Sequence, residues 1–128
     1  MYKPCQKCSG KTKEYRRQGS QSVTSAAPVT LIEFVLTGGE QGALTRFANY
    51  SASSAAWGSI TWIVKINGVP IPPYNEIRDS IGSMERAEDI GDEASLSPGS
   101  KIEVIAISTT TTPYIVGAIC HFAVRGSV

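Results

Sequence analysis

Alternation with a period of two dominates the middle of the chain. Between residues 59 and 67, Ile60, Trp62, Val64 and Ile66 alternate with Ser59, Thr61, Ile63 and Lys65. Successive side chains of a strand point to opposite faces, so this pattern predicts a strand with a bulky apolar face turned inward. Asn67-Gly68 follows, a pair that tolerates positive φ and predicts a tight hairpin turn. Val69-Pro70-Ile71 is the expected return strand, and the prolines at 70, 72 and 73 confine it to a sheet edge or an extended segment.

Similar segments lie on both sides. Residues 29–36 are rich in β-branched and aromatic side chains, follow Pro28 and stop at Gly38-Gly39, which predicts a strand. Residues 45–51, with Phe47 and Tyr50, predict another, and residues 52–58 form a loop in which every residue but Trp57 is small. Leu96-Ser97-Pro98-Gly99-Ser100 predicts a chain reversal into a strand over 101–108. After the loop at 109–113, the last strand over 114–125 places Tyr114, Val116, Ala118, Cys120, Phe122 and Val124 on one face. Ile115, Gly117, Ile119, His121, Ala123 and Arg125 fall on the other.

Two stretches lack this pattern. Residues 75–93 carry Glu85, Glu88, Asp89, Asp92 and Glu93, with glycines at 82 and 91 that oppose a long helix. A solvated acidic loop, with at most a short helical turn, is expected there. Residues 1–27 show no apolar periodicity and read as an extended arm, leaving 28–128 as the body. Short strands, Gly and Pro turns and no amphipathic helix predict an all-β body, a β-sandwich or jelly roll, with an extended basic N-terminal arm.

Composition agrees with a folded domain: the 128 residues are 41% hydrophobic and 18% charged. No run of apolar residues is long enough to predict a membrane-spanning helix. The N-terminal residues are basic and lack an apolar core segment, so a secretory signal is not expected. The formal net charge of +1 conceals an asymmetry. Residues 1–21 hold Lys3, Lys7, Lys11, Lys13, Arg16 and Arg17 against Glu14, a charge of +5, while the rest of the chain holds six bases and ten acids, −4. Such an arm calls for an electrostatic partner: nucleic acid, an acidic neighbouring protein, or the acidic body of another copy. Twenty extended residues span on the order of 65 Å, enough to cross one subunit and grip the next.

Cys5-Gln6-Lys7-Cys8 is half of a zinc knuckle, two thiolates from one turn. Four ligands would require a second copy, so Cys5 and Cys8 are weighed as an intersubunit zinc half-site against the default of two cysteines with no metal. No other cofactor is expected. Cys120 and His121 are adjacent on a strand and face opposite ways, so they cannot easily share one ion; Cys120 reads as a buried thiol. His121 is the single histidine, no G-x-S-x-G elbow or phosphate-binding glycine loop occurs, and an enzyme is not expected. Asn49-Tyr50-Ser51 matches a glycosylation sequon but is given no role in a chain without a secretory signal.

The run Ile60-Thr61-Trp62-Ile63-Val64-Lys65-Ile66-Asn67-Gly68-Val69-Pro70, then Ile77-Arg78-Asp79, then Leu96-Ser97-Pro98-Gly99-Ser100-Lys101-Ile102-Glu103-Val104, resembles small β-sandwich virion proteins of tailed bacteriophages. The last segment is similar to an L-x-P-G-D-x-I-E-V turn and strand, with Ser100 in place of the acid. The resemblance covers about residues 59–125 and is one of turns and strands. It implies a structural role in the virion at the capsid surface, after synthesis in the host cytoplasm. The expected function is that of a capsid cement (decoration) protein that clamps neighbouring capsomers, with the major capsid protein and further copies of itself, as a trimer, for partners. No membrane partner is expected. Tyr2, Lys3, Arg16, Arg17 and Trp57 are the candidate partner-binding residues. A tail, baseplate, fibre or neck module recognising host glycan or another virion protein is the alternative. A nucleic-acid-binding accessory protein acting through the arm comes third, and nucleic acid is not the expected main partner.

Overall fold

The computed structural model describes residues 12–37, 39–72, 74–82 and 88–126. Among them the chain forms β1 (Thr12–Val23), β2 (Val29–Val35), β3 (Glu40–Ser51), β4 (Ile60–Ile66), β5 (Val69–Pro70), β6 (Glu88–Leu96), β7 (Lys101–Ser108) and β8 (Tyr114–Gly126), with a 3-10 turn at Ser54–Ala56. Two antiparallel four-stranded sheets result, in the orders β1-β8-β3-β6 and β2-β7-β4-β5. β1 pairs with β8, β2 with β7, β3 with β6 and β4 with β5. First joins last, inward to the middle, as if one long hairpin had been rolled up. That is the jelly-roll arrangement of a two-sheet sandwich, and the all-β expectation is met.

The alternation read from the sequence is what closes the sandwich. Ile60, Trp62 and Val64 of β4 are fully buried, as are Ile102, Val104 and Ala106 of β7. Val116, Ala118, Cys120 and Phe122 of β8 face them from the other sheet, also fully buried. Burying each large apolar side chain contributes about 1.5–3 kcal/mol, so these rows decide which way every strand faces. Phe34 stacks on Phe122 across the sheets, with ring centroids 4.3 Å apart. The Trp62 indole Nε1 donates to the Gly117 carbonyl at 3.1 Å, a buried hydrogen bond from one sheet to the other. At the hairpin tip Asn67 and Gly68 have φ of 53° and 81°, the left-handed pair that the Asn-Gly turn requires.

Three expectations change. Residues 12–23 are not part of a free arm: they are β1, in register with β8 over its whole length, from Thr12 opposite Arg125 to Val23 opposite Tyr114. The segment lacks apolar periodicity because it is an edge strand. Its inward row buries Val23 fully and Tyr15 partly, and the backbone ladder supplies the rest. Gly19, read as an arm residue, is the point where β1 meets β2; a Cβ there would fall on the Leu31 carbonyl oxygen.

Residues 88–93, expected in a solvated acidic loop, belong to the edge strand β6 (Glu88–Leu96) beside β3. Residues 74–82 cover one side of the sandwich. Ile77 exchanges backbone hydrogen bonds with Trp62, and both its N–H and its C=O are used at 2.9 Å. Buried Asn49 holds the same segment with its amide, Nδ2 donating to the Asp79 carbonyl and Oδ1 accepting from the Ile81 N–H. The third change is small: β3 starts at Glu40, five residues before the expected strand, with a bulge between Leu44 and Arg46.

Candidate functional site

Tyr2, Lys3, Cys5 and Cys8 lie outside the described residues. The other candidates fall at separate places. Arg16 and Arg17 are neighbours on β1 and so face opposite ways. Arg17 turns toward the other sheet, where its guanidinium carbon lies 5.3 Å from the Tyr15 ring centroid and 5.0 Å from that of Phe34. It covers the aromatic margin of the core with a cation over two ring faces. Arg16 points to the outer face of the β1-β8-β3-β6 sheet. Trp57 is half-buried, its ring 5.1 Å from that of Trp62, so it extends the core under the small-residue loop.

Cys120 and His121 face opposite ways, as expected from their adjacency. Cys120 is a free thiol in the core, and burial pushes its pKa far above the ordinary thiol value. No group of three or more His, Cys, Asp or Glu side chains able to hold a metal occurs among the described residues. No described helix is long and apolar enough to cross a membrane.

The outer face of the β1-β8-β3-β6 sheet holds a grouping the sequence analysis missed. In the two ladders flanking β8, Arg16 lies directly opposite His121, and His121 directly opposite Arg46. Three basic side chains therefore leave one face in a single cross-strand row. Directly opposed residues have Cβ atoms about 4.5–5.5 Å apart, and like charges so placed repel. The His121 pKa is lowered from 6.5, first by partial burial, then by Arg16 and Arg46, with Glu14 acting the other way. The imidazole avoids repulsion by staying neutral. Thr45 Oγ1, at the β3 bulge, donates to the His121 carbonyl at 3.1 Å and holds the backbone beneath the row.

Beside the row, Glu14, Thr45, Arg46, His121 and Phe122 line a hollow of about 290 Å³. One step along the strands, Ala123 lies opposite Ala43, which in turn lies opposite Ser95. These small residues lie in a second, shallower hollow of about 490 Å³ bounded by Gln41 and Arg125. In the opposite direction the face turns apolar, with Ala48 and Ile119 buried beneath Tyr50, whose hydroxyl accepts from Gln18 Nε2 at 3.2 Å. No sequence signal marked Arg46, because 30 and 75 residues separate it from Arg16 and His121 and only register brings them together. The row is flanked by acids: Glu14 lines the same hollow, and Asp89 of β6 holds the register position opposite Arg46. No protein-family model matches the chain, and no curated protein matches it in sequence.

Proposed function

We propose that the protein is a structural component of a phage virion, a capsid cement protein whose copies join in a symmetric ring and whose basic N-terminal segment grips the major capsid protein. The observation that carries this reading is the opposite charge of the two edges of one sheet. β1 brings Lys13, Arg16 and Arg17 against Glu14, whereas β6 brings Glu88, Asp89, Asp92 and Glu93 with no base. An edge strand offers unpaired backbone groups to another chain. The basic edge of one copy is therefore complementary to the acidic edge of the next. Such a head-to-tail contact cannot close a dimer, and a trimer is the smallest ring it can close. The jelly-roll order also occurs in viral capsid domains, and the resemblance of residues 59–125 to virion sandwiches points the same way.

In this reading the tether is shorter than the sequence implied. Residues 1–11, with Lys3, Lys7 and Lys11, precede β1 and span roughly 35 Å when extended. Light scattering at micromolar concentration tests the ring: a trimer at low salt that dissociates as salt rises supports it, and a monomer at both refutes it. The same measurement with a zinc chelator tests whether Cys5 and Cys8 join copies through a metal. Co-sedimentation with shells of the cognate major capsid protein tests the clamp. Deletion of residues 1–11, which leaves β1 whole, is expected to abolish co-sedimentation, and unchanged binding would remove the tether.

A further inference from the structure

Strands covered on one face alternate apolar and polar residues, whereas strands covered on both faces read as near-continuous apolar runs. β4 and β7 are of the second kind. Ile60-Thr61-Trp62-Ile63-Val64 and Ile102-Glu103-Val104-Ile105-Ala106-Ile107 hold one charged residue between them. The fold covers only one of their faces. Ile60, Trp62, Val64, Ile102, Val104 and Ala106 make the core, while Ile63, Ile105 and Ile107 fall on the outer face of the β2-β7-β4-β5 sheet. There Ile63 lies directly opposite Ile105, Thr30 flanks Ile105 on the other side, and Ile107 lies opposite Thr61. Ile63 and Ile105 are half-buried by their own sheet, and Ile107 is 37% exposed. No described strand lies over this face.

Charge on the same face is confined to one end and sums to zero. Lys65 lies opposite Glu103, and Glu103 opposite Glu33. Lys101 reaches the carboxylates of Glu33 and Glu103 at 3.6 and 3.8 Å. Away from that row, residues 18–32, 47–64 and 104–120 contain no charged residue at all. Their links, 24–28, 52–59 and 109–113, close the uncharged end of the sandwich and are bonded to one another. Ser25 N–H donates to the Thr110 carbonyl at 2.8 Å, and Thr109 N–H to the Ser59 carbonyl at 2.9 Å. The surface is therefore set before any contact forms, which lowers the ordering cost of making one.

We propose that the outer face of the β2-β7-β4-β5 sheet packs on the same face of a second copy across a two-fold axis, with Ile63, Ile105 and Ile107 at its centre. A two-fold contact sets each group beside its own image, so a charge near the axis would meet a like charge. None stands there. An axis through the isoleucines carries the charged row of each copy over the uncharged end of the other, which keeps the centre apolar and the charges at the rim. A different partner would be selected by complementary charge, and this face has no net charge to select one. A stable contact takes about 800 Å² from each partner. That is roughly a tenth of the 7387 Å² the chain exposes, the scale of one sheet face with its adjoining loops. Three part-buried isoleucines with no exposed aromatic anchor make the contact weak, with a Kd on the order of 0.1 mM. It uses neither charged edge, so it goes beyond the ring proposed above and does not depend on it.

Salt separates the two contacts. At about 1 M NaCl the Debye length is about 3 Å, so edge-to-edge attraction is screened while apolar packing persists. The experiment is sedimentation velocity of the full chain in that buffer, from about 20 μM to about 1 mM, a range that brackets the Kd. The sedimentation coefficient is expected to rise from monomer toward dimer. Ile105→Lys is expected to abolish the rise, and Ile107→Ser, a milder change at the most exposed of the three, to weaken the dimer about tenfold. Ile115→Lys, on the outer face of the other sheet, is expected to leave it unchanged. A wild-type monomer up to 1 mM would overturn the proposal, as would a dimer indifferent to both Ile105→Lys and Ile107→Ser, or one lost in Ile115→Lys. Methyl NMR of Ile63 and Ile105 at about 20 μM, with and without residues 1–11, tests the remaining occupant. Unchanged signals are expected, and shifts confined to these methyls would give the face to the chain's own N-terminal segment and overturn the contact between copies.

Discussion

The indole of Trp62 is fully buried, and its one polar atom reaches the Gly117 carbonyl on the opposite sheet at 3.1 Å. Apolar area and hydrogen bond can be separated by substitution. Trp62→Phe keeps most of the ring but removes the indole donor to that carbonyl and leaves a small void; the expected loss is about 2–3 kcal/mol, read as a fall in the urea midpoint with an unchanged slope. Cys120 gives a second test at this scale. Its thiol is enclosed and its pKa far raised, so almost no thiolate forms at neutral pH. In a Cys5→Ser/Cys8→Ser variant, thiol reagent is expected to label nothing until denaturant is added. Rapid labelling of the native variant would mean that the core opens at β8. Asn49 belongs to the same scale: the sequon residue is buried with both amide atoms used, which ties the segment at 79–81 to β3 and leaves no room for a glycan.

Among the elements, β1 shows how an unpatterned segment becomes structural. Twelve residues pair with β8, and Gly19 lets the strand pass close to the Leu31 carbonyl of β2. Gln21 Nε2 adds a hydrogen bond to the Thr30 carbonyl at 3.0 Å, so the two sheets are joined along this side. A side chain at position 19 cannot be relieved by a rotamer change, because the obstacle is backbone. Gly19→Ala is therefore expected to cost about 3 kcal/mol, roughly 10 °C in Tm, whereas Ser20→Ala, on the outer row, is expected to be nearly neutral. Thermal melts of the two variants compare them directly. The turn at Asn67-Gly68 is the opposite case, an element whose geometry was legible in two residues, because a type I′ turn requires positive φ at both positions and few pairs supply it.

For the molecule as a whole, pH sets a measurable bias. The His121 pKa is lower in the folded protein than its ordinary value of 6.5. A base with a depressed folded pKa stabilises the fold above the unfolded value. That contribution disappears as pH falls from about 6.5 through the folded pKa, because the unfolded chain then binds the extra proton. Wild-type protein is expected to lose more Tm between pH 7 and pH 5 than His121→Gln, measured in chloride. Parallel pH profiles would show that the imidazole is not held neutral by its neighbours. The charge distribution acts at this scale too, since the +5 of residues 1–21 is divided by the fold between the segment before β1 and a sheet edge.

The sequence by itself determined the strands that have a buried face and a marked turn: β2, β4, β7 and β8, the Asn-Gly hairpin and the Pro-Gly reversal. It also determined that Cys120 and His121 part company, because adjacent strand residues always do. The physical reason is that alternation and turn chemistry are local, carried by neighbours along the chain. Tertiary structure decided what depends on distant partners. β1 and β6 are strands because β8 and β3 have open edges to be paired, not because their own residues demand it. The row of Arg16, His121 and Arg46 exists because two registers align residues up to 105 positions apart. A one-residue slip of either edge of β8 would send an arginine to the other face, and the alignment is held by the core rows beneath it, not by the basic side chains themselves.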